Sequence, residues 1–428
     1  WILFFHFIPA VVTSAKTTVP TDEHGDYNGL DLIEWIKSHP NGDIHPSLRI
    51  GRERPGDPTS INGLFVASSS NSSPIEKGDV IAQIPWEHLI GPDGKYSNSK
   101  YFSCRAIYNL AKELKLGDKS ERAPYVRYLL TQPRGSMPGE WSTAAQNFFS
   151  DMLGRDELPP YEHTWRTKFE TEWIEGCSGS TDEYYEMERV AYWLASSRDE
   201  DTLMVPVYDM ANHSNDPNKL NTLSYKPDKA GDSFRLVASK NILPGEQIYN
   251  SYNRCNQCSD VDEKDCETYS FWRTPDLFVR FGFVEDYPQN WEFDPTNDDH
   301  DDDSSDDDSS DDDDREFDVC LQREEETGEV EALWGEDGEE DMPDGRDIQW
   351  LGMHYKRLQK LLDDKDTLEK ELVRGEGEDD NGENKMTRGE WVSIWRYHEA
   401  LVQAIDTAIL SSDIEEDSDD SEDPRDEL

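Results

Sequence analysis

The sequence predicts an α+β fold, and three patterns predict it. Short runs with strand character lie before residue 85 and return between residues 203 and 249. A helical stretch, about residues 104–195, separates them, and amphipathic helices dominate the end of the chain. The 428 residues are 34% hydrophobic and 11% aromatic, enough apolar material for two or three globular units.

The elements follow in order. Residues 1–12 form an apolar run ending in Thr13-Ser14-Ala15, too short to span a bilayer and shaped like the core of a secretory signal, with Ala15 at a plausible cleavage position. Residues 30–36 (Leu-Asp-Leu-Ile-Glu-Trp-Ile) have the spacing of a short amphipathic helix. Residues 62–67 and 79–85 read as strands, with a Ser/Asn-rich turn and Lys77-Gly78-Asp79 between them. The insert follows, punctuated by Pro and Gly, and strands resume at 203–208, 233–238 and 247–249. Beyond the acidic tract, residues 317–334 suit a hairpin turning at Thr327-Gly328. Residues 348–362 and 390–410 then carry Trp350, Leu351, Tyr355, Leu358 and Leu361, and Trp391, Trp395, Leu401 and Ile405, at helical spacing. The expected units are a β-rich unit over 28–292 with its helical insert, an acidic linker over 298–314, a helical unit over 315–411 and an acidic tail over 412–428. There is no internal repeat.

Charge narrows the function. Lys and Arg number 42 against 94 Asp and Glu, a net −52, much of it after Asn297. Such a surface repels nucleic-acid phosphates, so nucleic acid is excluded as a partner; basic protein segments and divalent cations suit it better. Residues 298–314 contain only Asp, Ser and one His. They cannot bury apolar surface and read as a solvated spacer, with low-affinity calcium buffering or phosphorylation as functional alternatives. The chain ends Arg425-Asp426-Glu427-Leu428, one residue from an endoplasmic-reticulum retrieval address. Together with the apolar leader, this predicts a luminal protein with no membrane segment once the signal is removed.

Three segments carry the chemistry. The first is Asn62-Gly63-Leu64-Phe65, followed by Lys77-Gly78-Asp79 and Ile84-Pro85. The second is residues 205–214 (Val-Pro-Val-Tyr-Asp-Met-Ala-Asn-His-Ser). The third is residues 244–252 (Pro-Gly-Glu-Gln-Ile-Tyr-Asn-Ser-Tyr), followed by residues 277–284 (Leu-Phe-Val-Arg-Phe-Gly-Phe-Val). Taken singly they have plain readings: a polar turn, a half-buried core tyrosine, a turn glycine. In this order they resemble the SET-domain protein methyltransferases, in the branch that includes Rubisco large-subunit methyltransferase and the actin-histidine methyltransferases. Ala123-Pro124-Tyr125 and Trp141 match that branch's helical insert, and the likeness runs over about residues 30–291.

The resemblance implies an S-adenosylmethionine-dependent protein N-methyltransferase with a SET β-fold. The helical C-terminal unit would then be a substrate-binding domain. A protein lysine is the favoured target and a protein histidine the alternative; an inactive SET-like scaffold and an acidic luminal calcium-binding protein are the readings from other classes. Methyl transfer from a sulfonium is an in-line displacement, so the protein must align a neutral amine and keep water out. By resemblance Tyr252 supplies the hydroxyl that orients the amine. Gly63, Leu64, Ser197, Arg198, Asp209, Asn212 and His213 would hold the cofactor: Gly63 and Leu64 by close backbone passage, Ser197-Arg198 at its carboxylate, Asp209 by bracing the loop. Tyr249 and Phe281 would line the substrate channel. Where the family commonly carries Tyr before the last Gly-Phe, this chain has Phe281. The missing hydroxyl would widen the methyl states accepted or alter the target side chain, with activity retained.

Cys255, Cys258 and Cys266 follow Tyr252 closely. Three thiols suit disulfides in an oxidising lumen, with partners among Cys104, Cys177 and Cys320, while a zinc site lacks an evident fourth ligand and free thiols are the third reading. Asn71-Ser72-Ser73 and Asn212-His213-Ser214 both fit the glycosylation pattern, and the second conflicts with a cofactor role for Asn212.

Overall fold

The computed structural model describes residues 21, 27–54, 62–68, 73–92, 100–179, 185–200, 202–227, 231–252, 272–295, 317–324, 327–333, 343, 345–374 and 385–416. The signal-like segment, the 298–314 tract, Asn71, Cys255, Cys258, Cys266 and the last four residues lie outside them.

The helices are α1 (Leu30–Ser38), α2 (Lys100–Leu116), α3 (Ala123–Leu130), α4 (Thr143–Met152), α5 (Tyr185–Arg198), α6 (Thr274–Phe281), α7 (Gly345–Asp363), α8 (Lys365–Leu372) and α9 (Arg388–Glu416). The strands are β1 (Asp43–Ile44), β2 (Leu48–Arg52), β3 (Asn62–Val66), β4 (Val80–Ile84), β5 (Asp199–Glu200), β6 (Leu203–Met204), β7 (Asn212–His213), β8 (Thr222–Tyr225), β9 (Phe234–Ala238), β10 (Gln247–Asn250), β11 (Gln289–Phe293), β12 (Phe317–Arg323) and β13 (Val330–Leu333). Helices and short, mostly antiparallel strands coexist, so the fold class is α+β as expected.

Local chemistry explains several boundaries. Pro124 sits in the first turn of α3, where its missing N–H costs nothing. The Ser142 hydroxyl accepts from Ala145 N and starts α4. Asp276 accepts from the Arg273 backbone N–H at the start of α6, and Gly282 ends that helix in the left-handed conformation. The expected hairpin is present: β12 pairs antiparallel with β13, and Gly328 takes φ +75° between them. Helix α9 runs past the expected end at 410 to Glu416; no Gly or Pro follows Leu410 to stop it there, and the Ser412 hydroxyl donates back to Ala408 O at 2.8 Å.

Two cores form. The first lies under two four-stranded sheets, ordered β1-β4-β9-β8 and β2-β3-β10-β7, and packs them against α1, α2, α3 and α5. The second gathers α4, α6, α7, α9 and the sheet β11-β12-β13 around Trp165, Trp291, Trp391 and Tyr397. Burying each such ring contributes about 1.5–3 kcal/mol. The second core therefore draws α4 out of the central insert and β11 from before the acidic tract. Side chains stitch these distant pieces together: Glu390 on α9 accepts from the Ser142 hydroxyl at 3.1 Å, and the Tyr397 hydroxyl donates to Pro159 O at 2.7 Å.

Cys104 and Cys177 form a disulfide, fastening α2 to the segment before α5, so these two pair with each other rather than with the thiols after Tyr252. Cys320 is disulfide-bonded as well. Among the described residues no helix is long and apolar enough to cross a membrane, and no cluster of His, Cys, Asp and Glu is arranged to hold a metal.

Candidate active site

Strand β10 brings the site together because it lies between two strands from distant parts of the chain. On one side it pairs antiparallel with β3, Ile248 opposite Leu64. On the other it pairs parallel with β7, Tyr249 opposite Asn212 and Asn250 opposite His213. The ladder thus sets Gly63, Asn212 and the residues just after Asn250 side by side.

The approach to β7 is strained. Val207 is fully buried at φ +71°, unusual for a β-branched residue, and opens the 3₁₀ turn Tyr208–Met210. The strand expected over 203–208 is therefore only β6; the chain turns after Pro206 to point Asp209 inward. The Asp209 side chain is fully buried. Its Oδ2 accepts from the Tyr125 hydroxyl at 2.9 Å and lies 3.9 Å from the Arg198 guanidinium, while Oδ1 has no partner. Burial pushes the Asp209 carboxyl up to about 7, against the opposing pull of Arg198 and the Tyr125 hydrogen bond.

Arg198, the last residue of α5, donates through Nη1 to the Tyr128 hydroxyl and Asp209 O, both at 3.1 Å, and through Nη2 to Gln132 Oε1 at 2.7 Å. Burial works against its charge, but facing Tyr128 and Asp209 outweigh that and hold it above its usual value. The Ser197 hydroxyl donates to Trp193 O at 2.9 Å.

Asn212 Nδ2 donates to Asn62 O at 3.0 Å, directly over Gly63. The Tyr252 hydroxyl donates to Ala211 O at 3.0 Å, and the Tyr252 backbone N–H donates to His213 Nδ1 at 2.9 Å. Phe281 lies with its ring centroid 4.7 Å from that of Tyr252. Burial pushes the Tyr252 phenol up to about 12, so its hydroxyl stays protonated at neutral pH.

Two cavities meet here. One, of about 190 Å³, is bordered by Asn62, Gly63, Gln132, Ser136, Met210 and Asn212 among others. The second, of about 50 Å³, is bordered by Glu200, Tyr208, Asn250, Trp272 and Arg280. Ser197, Arg198, Asp209, Tyr252 and Phe281 border both and form the partition. Leu64 and His213 border neither: Leu64 is fully buried in the first core, and the His213 side chain is 2% exposed behind Tyr252. Tyr249, expected at the substrate channel, also borders neither. Side chains alternate along a strand, so Asn250 faces the second cavity while Tyr249 stands on the other face.

Sequence reasoning missed Tyr128, Gln132 and Ser136. Tyr125, Tyr128 and Gln132 stand three and four residues apart along and just beyond α3, and that spacing was the available signal.

Residues 72–253 match the SET domain. The match supports an S-adenosylmethionine-dependent protein methyltransferase in general. It spans Arg198, Asp209, Asn212 and Tyr252 and stops short of Gly63 and Phe281, which the fold nevertheless brings to the same cavity. No curated protein matches the chain.

Proposed function

We propose that this chain methylates a protein amine, with lysine the favoured target, and that the larger cavity holds S-adenosylmethionine while the smaller admits the substrate side chain. The observation that carries the reading is the shared partition. A methyl donor and its acceptor must meet in line across a narrow boundary, and Tyr252, Phe281 and Arg198 border the two cavities from both sides.

The residues present fit the donor. The Arg198 guanidinium suits a carboxylate, the unpartnered Asp209 Oδ1 and the Asn212 side chain suit an ammonium, and the bare Cα of Gly63 leaves room for close approach. The rings of Tyr252, Phe281 and Phe283 offer faces to a sulfonium. When bound, S-adenosylmethionine supplies the electrophilic methyl group. Tyr252, kept protonated, cannot serve as a base; its hydroxyl orients the incoming nitrogen, whose proton leaves to solvent before transfer. Phe281, lacking a hydroxyl, leaves an apolar wall that excludes water beside it.

The Cys104–Cys177 disulfide suits an oxidising compartment and supports the luminal location proposed for the chain. The direct test is incubation with label-bearing S-adenosylmethionine and a cell extract, followed by identification of the labelled residue. Label on lysine is expected, and label on histidine selects the alternative. A protein that binds the donor yet labels nothing, or that binds only calcium by calorimetry, overturns the reading.

A further inference from the structure

The β7–β10 ladder ends at the pair His213–Asn250, so no strand pairing holds Tyr252 two residues later. What holds it is a side chain. His213 Nδ1 accepts the Tyr252 backbone N–H, which requires the ring proton to sit on Nε2. That Nε2 faces Glu285 Oε2 at 3.5 Å, and neither atom has a hydrogen-bond partner elsewhere. Both side chains are 2% exposed, so water does not compete. The far carboxylate oxygen of Glu285 is fixed in turn: Oε1 accepts from the Thr274 hydroxyl at 2.6 Å, and Thr274 Oγ1 accepts from Asn290 N at 3.1 Å. Gln289 Nε2 donates to Glu285 O at 2.8 Å.

From this we infer that Glu285 is a positioning residue for Tyr252, acting through His213, in the reaction proposed above. A carboxylate facing Nε2 can only accept, so it selects the Nε2–H tautomer. That tautomer leaves Nδ1 free to accept from Tyr252. The relay runs from the start of α6 and β11, through a buried Glu and His, to the backbone of Tyr252, which borders both cavities. It gives the last segment of the chain's motif a function beyond packing: Phe281 and Phe283 line the cavity, and Glu285, two residues on, fixes the tyrosine opposite them.

The isosteric change Glu285→Gln is the discriminating test. Its carbonyl oxygen still accepts from Thr274, so the amide group turns its N–H bonds toward His213. A donor then faces a donor, the ring proton moves to Nδ1, and Tyr252 loses its acceptor. Nitrogen-15 spectra of His213 in the donor-free protein are expected to show the Nε2–H tautomer in the parent and Nδ1–H in Glu285→Gln. Methyl transfer should fall about tenfold or more in kcat. KM for the donor should change little, and a His213→Ala background should show no further loss. An unchanged His213 tautomer, or an unchanged kcat beside a changed tautomer, overturns the inference. If the parent transfers no methyl group, the methyltransferase reading fails separately, and the spectra still decide whether Glu285 sets the ring.

Discussion

Gly63 and Asn212 share one space: a Cβ on Gly63 would lie 2.6 Å from Asn212 Nδ2. The glycine is in ordinary strand geometry, so the requirement is room and not backbone freedom. The Asn212 amide can retreat only by giving up its hydrogen bond to Asn62 O, on the same strand as Gly63. Gly63→Ala should therefore push the amide out of the larger cavity. Overpacking of this kind costs about 1–3 kcal/mol. Calorimetry should show donor affinity at least about tenfold weaker, since a misplaced polar group loses roughly one charge-assisted hydrogen bond. Equal affinity in the alanine variant would show that Asn212 does not touch the donor.

Tyr252→Phe separates orientation from binding. The variant keeps the ring against Phe281 and the backbone hydrogen bond to His213, and loses only the hydroxyl that donates to Ala211 O. One neutral hydrogen bond is worth about 1 kcal/mol, so the fold should survive. Turnover should fall by roughly 100-fold or more, the scale for removing a positioned hydrogen-bonding group at a reacting atom. Donor affinity should stay within about threefold, a difference under 1 kcal/mol. Single-turnover assays beside calorimetry distinguish the two, and full turnover without the hydroxyl would remove Tyr252 from the reaction.

Why part of this arrangement was readable and part was not follows from the range of the forces involved. Helix α9 was legible because Trp391, Trp395, Leu401 and Ile405 repeat at helical spacing, and the hairpin because Thr327-Gly328 is a local turn signal. Asn212, Arg198 and Tyr252 could be named from linear motifs. Strand β11 was not, because Gln-Asn-Trp-Glu-Phe looks polar although its alternate residues are buried against β12. That Tyr249 borders neither cavity could not be read in advance, because a motif gives order along the chain but not the face of the strand. The turn at Val207 could not be foreseen, since only tertiary packing holds a β-branched residue at φ +71°. Glu285 gave no signal, because its partner His213 is distant in sequence and adjacent only through β7 and β10.

Asp209 makes stability depend on pH in a stated direction. Its folded-state value, pushed up to about 7 by burial, lies above the ordinary 3.8. The folded protein therefore holds this proton more tightly than the unfolded chain does. The resulting stabilisation is complete below about pH 4 and is lost as pH rises through 7. A shift of this size sets a ceiling of roughly 4 kcal/mol. Asp209→Asn cannot ionise, and its side chain can still accept from the Tyr125 hydroxyl. Relative to the parent, its melting temperature should rise from pH 5 to about pH 7 and level off above that. A difference that stays flat across that range would mean that Asp209 is ionised throughout, paired to Arg198.

Asn212 lies in a glycosylation pattern, and its placement decides what a glycan there would do. Its Nδ2 is the atom that would carry the sugar, and it already donates to Asn62 O while resting over Gly63. Attachment would remove one N–H and place a bulky group inside the larger cavity, where Gly63 leaves no room even for a methyl. A chain modified before folding would therefore be barred from closing β7 onto β10 beside β3. Expressed through a secretory pathway, the protein should divide cleanly. The fraction retained on an immobilised S-adenosylmethionine analogue should yield an unmodified Asn212 peptide by mass spectrometry. Any glycan at Asn212 should be confined to the fraction that flows through. A glycosylated Asn212 peptide in the retained fraction would show that the donor binds elsewhere.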